Sequence, residues 1–113
     1  EDVKIYGGAY EVEKSTLEKI RASIIKDHKD FKKIYSDKSF KESYGEILGD
    51  KNKKLTPDQK AFETTEPLVA NKQFFYMATL DAKEALKPDF DKLIMKYYKV
   101  GKKMNDFLIE AMK

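Results

Sequence analysis

The chain has 113 residues, 41% apolar and 38% charged, with a formal net charge of +3. That length is close to the commonest domain size and can bury a core without metal or disulfide help, and near-cancelling charge argues against charge-driven disorder. The absence of cysteine excludes a disulfide framework and thiolate chemistry, no apolar run approaches the roughly 20 residues of a membrane span, and no signal peptide is visible.

All the positive charge except Arg21 is lysine. The planar fork that reads guanine or clamps phosphate therefore occurs once, which argues against sequence-specific DNA binding and leaves weak, salt-sensitive phosphate contact open. The chain starts Glu1-Asp2 rather than with methionine and is read as a piece of a longer protein.

Val3 to Tyr6 alternates apolar and polar and then meets Gly7-Gly8, which predicts a short strand ending in a tight turn. Ser15-Thr16-Leu17-Glu18 has the form of a capping box, and Leu17, Ile20, Ile24 and Ile25 recur at helical spacing, so a helix is expected over residues 16–26. Two short helices should follow. One holds Phe31, Ile34 and Tyr35; the next starts near Ser36 or Asp37, holds Phe40 and Tyr44, and stops at Gly45. Ile47 and Leu48 should tuck beneath them.

Residues 49–60 form the most polar stretch and predict an exposed, mobile loop that contributes little to stability. Within it, Thr56-Pro57-Asp58-Gln59 sets a cap, a first-turn proline and a capping-box glutamine in order, so a short helix should run to Phe62. A further turn begins near Glu66-Pro67. Gln73 to Leu80 is aromatic, lacks glycine and proline and is apolar on both faces, which suits a strand covered on both sides. Asp81 and Glu84 cap a short helix closed by Lys87-Pro88. From Pro88 nearly to Lys113, Phe90, Ile94, Tyr97, Gly101, Met104, Leu108 and Ala111 step by four and three. Leu93, Val100 and Phe107 widen the seam, as on a helix packed against a globular core. Burial of Leu93, Ile94, Tyr97, Met104 and Leu108 is expected. The fold class is α+β: mostly helical, with a small two-stranded β element and a long C-terminal helix, in one domain over residues 1–113.

No pattern for catalysis, metal or cofactor stands out. The glycine turn at Gly7 and Gly8 is a setting in which backbone N–H groups meet an anion, but both phosphate-loop spacings are absent. His28, the sole histidine, lies in a wholly polar run and reads as a solvated surface residue. Carboxylates are scattered among lysines without an apolar pocket to make one a general acid. The tyrosines sit at core-like spacing and read as packing residues. Arg21, Lys53, Lys54 and Lys72 are the candidates for an anion-binding face, with Gly7 and Gly8 as a second contribution.

The succession of a strand ending Gly7-Gly8-Ala9-Tyr10, Leu17-x-x-Ile20-Arg21, Phe31, Ile34, Phe40, Tyr44-Gly45, Lys53-Lys54 with Pro57, Ala61-Phe62, Glu66-Pro67-Leu68 and Lys72-Gln73-Phe74 resembles the C-terminal half of the uncharacterised "domain of unknown function 2461" family. Its members are about twice this length. Where the family pattern favours a third glycine, this chain has Tyr6; where it favours a proline, Val12; where it has Lys-Arg, Lys53-Lys54; where it has His-Pro, Glu66-Pro67. Lysine and glutamate do not replace arginine and histidine at a ligand. The resemblance carries no activity. It implies a soluble, cytoplasmic α+β protein whose N-terminal half lies outside this sequence.

The first functional expectation is a non-catalytic structural or interaction domain. The second is a binding domain for an anionic small molecule or a nucleic-acid backbone, distinguished from the first by convergence of Arg21, Lys53, Lys54 and Lys72 on one concave face. An enzyme ranks third. A strand with an unpaired edge also predicts a homodimer.

Overall fold

The computed structural model describes residues 2–113. Strands β1 (Val3–Ala9) and β2 (Phe74–Leu80) pair antiparallel. Between them run helices α1 (Lys14–Lys26), α2 (His28–Ser36), α3 (Lys38–Tyr44) and α4 (Pro57–Phe62), then a 3-10 turn over Pro67–Ala70. A second 3-10 turn, Ala82–Leu86, leads into α5 (Phe90–Ala111). This is the mostly helical α+β architecture expected, with its two-stranded sheet and long last helix.

The helices cover one face of the sheet. Tyr76 points into the core, with its ring 5.1 Å from Phe40 and 4.7 Å from Tyr44. Its hydroxyl lies 3.0 Å from the Gly101 carbonyl and 2.7 Å from Asn105 Oδ1 on α5. Phe74, Ala78 and Leu80 share its burial, whereas Phe75 and Met77 on the other face are half-buried and Thr79 is exposed. The expectation of a strand covered on both sides is corrected here, since helices that follow one apolar face leave the other to solvent.

Gly7 and Gly8 are strand residues, opposite Tyr76 and Phe75, and do not turn the chain. A Cβ on Gly7 would lie 2.5 Å from the Tyr76 ring, and one on Gly8 would lie 2.2 Å from the Phe74 carbonyl oxygen. Gly8 also holds φ at +94°, where other residues are strained. The glycines serve close approach of the two strands. The Ser15 capping box is likewise absent: the N-cap of α1 is Glu13, without a side-chain cap. Glu18 is engaged elsewhere, accepting from Arg21 Nη1 at 3.2 Å and from Gln59 Nε2 at 2.6 Å.

Other local signals form as read. Asp37 caps α3 through the Phe40 N–H, and Thr56 and Gln59 complete a reciprocal capping box on α4 with Pro57 in its first turn. Ile47 is buried. The lysine-rich loop is less free than its polarity suggests. Leu48 exchanges backbone hydrogen bonds with Phe75, the Asn52 N–H donates to Ala70 and the Lys72 N–H to Asp50, both at 2.7 Å. Gly49 permits this approach, since a Cβ there would meet the Gln73 carbonyl oxygen at 2.2 Å.

Along α5 only the C-terminal half is a core spine. Gly101, Met104, Leu108 and Ala111 are buried, whereas Leu93, Ile94 and Tyr97, expected in the core, are half-buried. Met95 and Tyr98 beside them are exposed, as is Leu86 in the turn before the helix. The molecule measures 52 × 25 × 25 Å, and no helix is long and apolar enough to cross a membrane among the described residues.

Candidate functional site

Residues 14, 17, 18 and 21 follow one another at helical spacing on the first turns of α1. All four line a cavity of about 600 Å³ with Tyr10, Glu11, Val12, Asn52, Lys54, Lys72 and Gln73. The backbone bonds between residues 50–52 and 70–72 bring Lys54 and Lys72 to its far wall. Arg21, Lys54 and Lys72 therefore share one concave surface, and Lys14 joins them. Lys53 lies outside it, exposed. The backbone of Gly7 and Gly8 lines a separate hollow with Lys4, Tyr6, Tyr10, Phe75 and Met77. The Gly8 N–H already donates to Asn105 Oδ1 at 2.9 Å, so it is not free for an anion.

Arg21 is the unusual member. It sits on the apolar face of α1 between Leu17 and Ile24 and is only 2% exposed. Nη2 donates to the carbonyls of Ala70 at 3.3 Å and Asn71 at 3.0 Å, and Nη1 to Glu18. Its Nε is buried without a partner, as is Asn71 Oδ1. The guanidinium thus ties α1 to the segment before β2 and leaves its Nε–H unpartnered. Four cationic side chains line the cavity against Glu11 and Glu18, and Glu18 is spent on Arg21 and Gln59. Lys14, Lys54 and Lys72 make no ion pair among the described residues. Such a lining favours an anion. Of its members, the sequence reading missed Lys14, Asn52, Gln73 and Tyr10. The helical step from Arg21 back through Glu18 to Lys14 is the signal that finds Lys14.

A second polar cluster closes the space between α2 and the first 3-10 turn. Glu66 is 2% exposed and accepts from the Tyr35 hydroxyl at 2.5 Å and the Leu68 N–H at 3.3 Å. His28 Nε2 lies 3.0 Å from the same carboxylate, with its ring edge-on to Phe62 at 5.1 Å. His28 is therefore not the solvated residue its polar neighbours imply, because the helix turns it inward. Burial and the adjacent Glu66 carboxylate push the Tyr35 hydroxyl well above the ordinary tyrosine range. Lys51 Nζ donates to the Pro67 carbonyl at 2.9 Å. Burial lowers its pKa, against the opposing pull of Glu63 and Glu66. No grouping of three or more His, Cys, Asp or Glu able to hold a metal occurs among the described residues.

Comparison with known proteins gives one match. The model of a family described as "Conserved hypothetical protein (DUF2461)" covers residues 1–107 of the 113. No curated protein and no solved structure matches significantly. With nearly the whole chain covered by that family model, the chain belongs to the DUF2461 family of conserved hypothetical proteins.

Proposed function

We propose that this chain is a non-catalytic binding domain for a small anionic ligand, received in the cavity beside α1. One observation carries the reading: Arg21, Lys54 and Lys72, separated widely in sequence, line a single concavity with Lys14, and the three lysines make no ion pair among the described residues. The volume of about 600 Å³ suits a small molecule. Lysine supplies compact, hydrated charge suited to a phosphate or carboxylate. Tyr10, Val12 and Leu17 add apolar wall to receive the rest of the ligand. The cytoplasmic address and the place of the chain in the C-terminal half of longer family members belong to this reading. They rest on the order of the motifs.

The test is a thermal-shift titration with inorganic phosphate, citrate and a nucleoside monophosphate. A ligand that binds the folded state raises Tm with concentration. The expected result is such a rise with at least one of the three, lost in the double variant Lys54→Ala, Lys72→Ala. An unchanged Tm at millimolar concentrations of all three, or an equal rise in the double variant, overturns the proposal. A short oligonucleotide that binds in place of the small anions, weakening steeply with salt, would favour the nucleic-acid backbone instead.

A further inference from the structure

The pairing of β2 decides which way the backbone of β1 points. Phe75 exchanges both backbone hydrogen bonds with Leu48, at 2.7 and 3.2 Å, so its N–H and C=O face away from β1. Gly8 is its partner in the ladder. Hydrogen-bonded and non-hydrogen-bonded pairs alternate along an antiparallel ladder. Lys4, Tyr6 and Gly8 therefore all turn their backbone groups away from β2. Asn105 occupies the Gly8 N–H. Nothing in the backbone hydrogen bonding of the described residues reaches Lys4 or Tyr6 from that side.

The open edge is lightly guarded. Its register is continuous without a bulge, it holds no proline, and Lys4 is its one charge. Tyr6 is 59% exposed and Tyr10 is 63% exposed. Together with Phe75 and Met77 they line a hollow of about 640 Å³ on the uncovered face of the sheet. An edge of this kind recruits another strand.

We infer that β1 pairs with β1 of a second copy, making one sheet in the order β2–β1–β1–β2 across a two-fold axis. The free groups dictate the register. Lys4 and Tyr6 are the outward-facing strand residues whose N–H and C=O both lack a partner among the described residues, so the axis passes through Ile5, and Lys4 stands opposite the partner subunit's Tyr6. Each of the two symmetric Lys4–Tyr6 pairs exchanges an N–H and a C=O. The same register sets the Lys4 ammonium beside the partner subunit's Tyr6 ring on the outer face, a cross-strand cation–aromatic contact made twice. No like charges meet. An arbitrary extended peptide would gain the backbone bonds but not this reciprocal pairing, which is what favours a second copy. The inference does not depend on the anion cavity.

The experiment is sedimentation equilibrium on the full chain from low to high micromolar concentration. Three proteins are compared: the native chain, Tyr6→Lys, and the double variant Lys4→Glu, Tyr6→Lys. Both positions are exposed, and unchanged circular dichroism with cooperative thermal unfolding confirms that each variant folds. The native chain is expected to dimerise. Tyr6→Lys sets lysine opposite lysine twice and should raise the dimer Kd about tenfold or more. The double variant replaces that repulsion with two opposite-charge pairs and should restore dimerisation. A native chain that stays monomeric at high micromolar concentration overturns the inference. So does a dimer indifferent to Tyr6→Lys, or one that the double variant does not recover.

Discussion

Glu66 shows how much one buried carboxylate can organise. It accepts from the Tyr35 hydroxyl and the Leu68 N–H, meets His28, and caps the turn that begins at Pro67. Replacing it with alanine removes the acceptor and strands donors that are shielded from water. Glu66→Ala should therefore lose about 1–3 kcal/mol of stability, read from urea unfolding. A loss within the error of the midpoint would mean that the cluster is ornamental. Arg21 makes the complementary point. Its guanidinium answers carbonyls some 49 and 50 positions along the chain. The sequence marks it as a cation on an apolar helix face, and only the fold supplies the reason.

At the scale of elements, α5 divides into two. Leu108 is fully buried near its C-terminal end, and Ile94 is half-buried near its beginning. Leu108→Ala should cost about 2–5 kcal/mol, as in a closed core site. Ile94→Ala should cost clearly less, since part of its surface already meets water and little cavity forms. Equilibrium denaturation of the two variants side by side measures the difference, and equal losses would show that the helix is uniformly buried. The apolar seam itself does not reveal this division. Its period continues along the full helix, whereas full burial is confined to Gly101, Met104, Leu108 and Ala111. The helix start at Ser36 or Asp37 and the capping box at Thr56 were legible because each cap, at Asp37 and at Thr56, is satisfied within three residues of itself. The box at Ser15 failed because the helix begins ahead of it, at Lys14, and Glu18 bonds Arg21 on the same helix and the distant Gln59.

For the whole molecule, the tyrosine cluster predicts how stability responds to alkali. Burial, reinforced by Tyr97 and Tyr98, pushes the Tyr44 hydroxyl up to about 12. Burial lifts Tyr76 further still. An unfolded tyrosine ionises near pH 10. The native state holds these protons more tightly than the unfolded chain, so the stabilisation is complete below about pH 10 and declines as pH rises toward the native values. The urea midpoint should fall across that range, and less steeply in Tyr44→Phe; a flat profile would contradict the burial of these hydroxyls. By itself the sequence determined the α+β class, the succession of helices and strands and most of their ends, because periodicity and capping are satisfied by near neighbours. Tertiary structure alone decided that Gly7 and Gly8 lie within a strand, that one face of the sheet stays open, and that His28 turns inward. It also decided that Arg21, Lys54 and Lys72 meet in one cavity while Lys53 stays outside. Those outcomes depend on which distant segments come into contact, and the backbone bonds that join residues 48–52 to 70–75 leave no periodic trace in the chain.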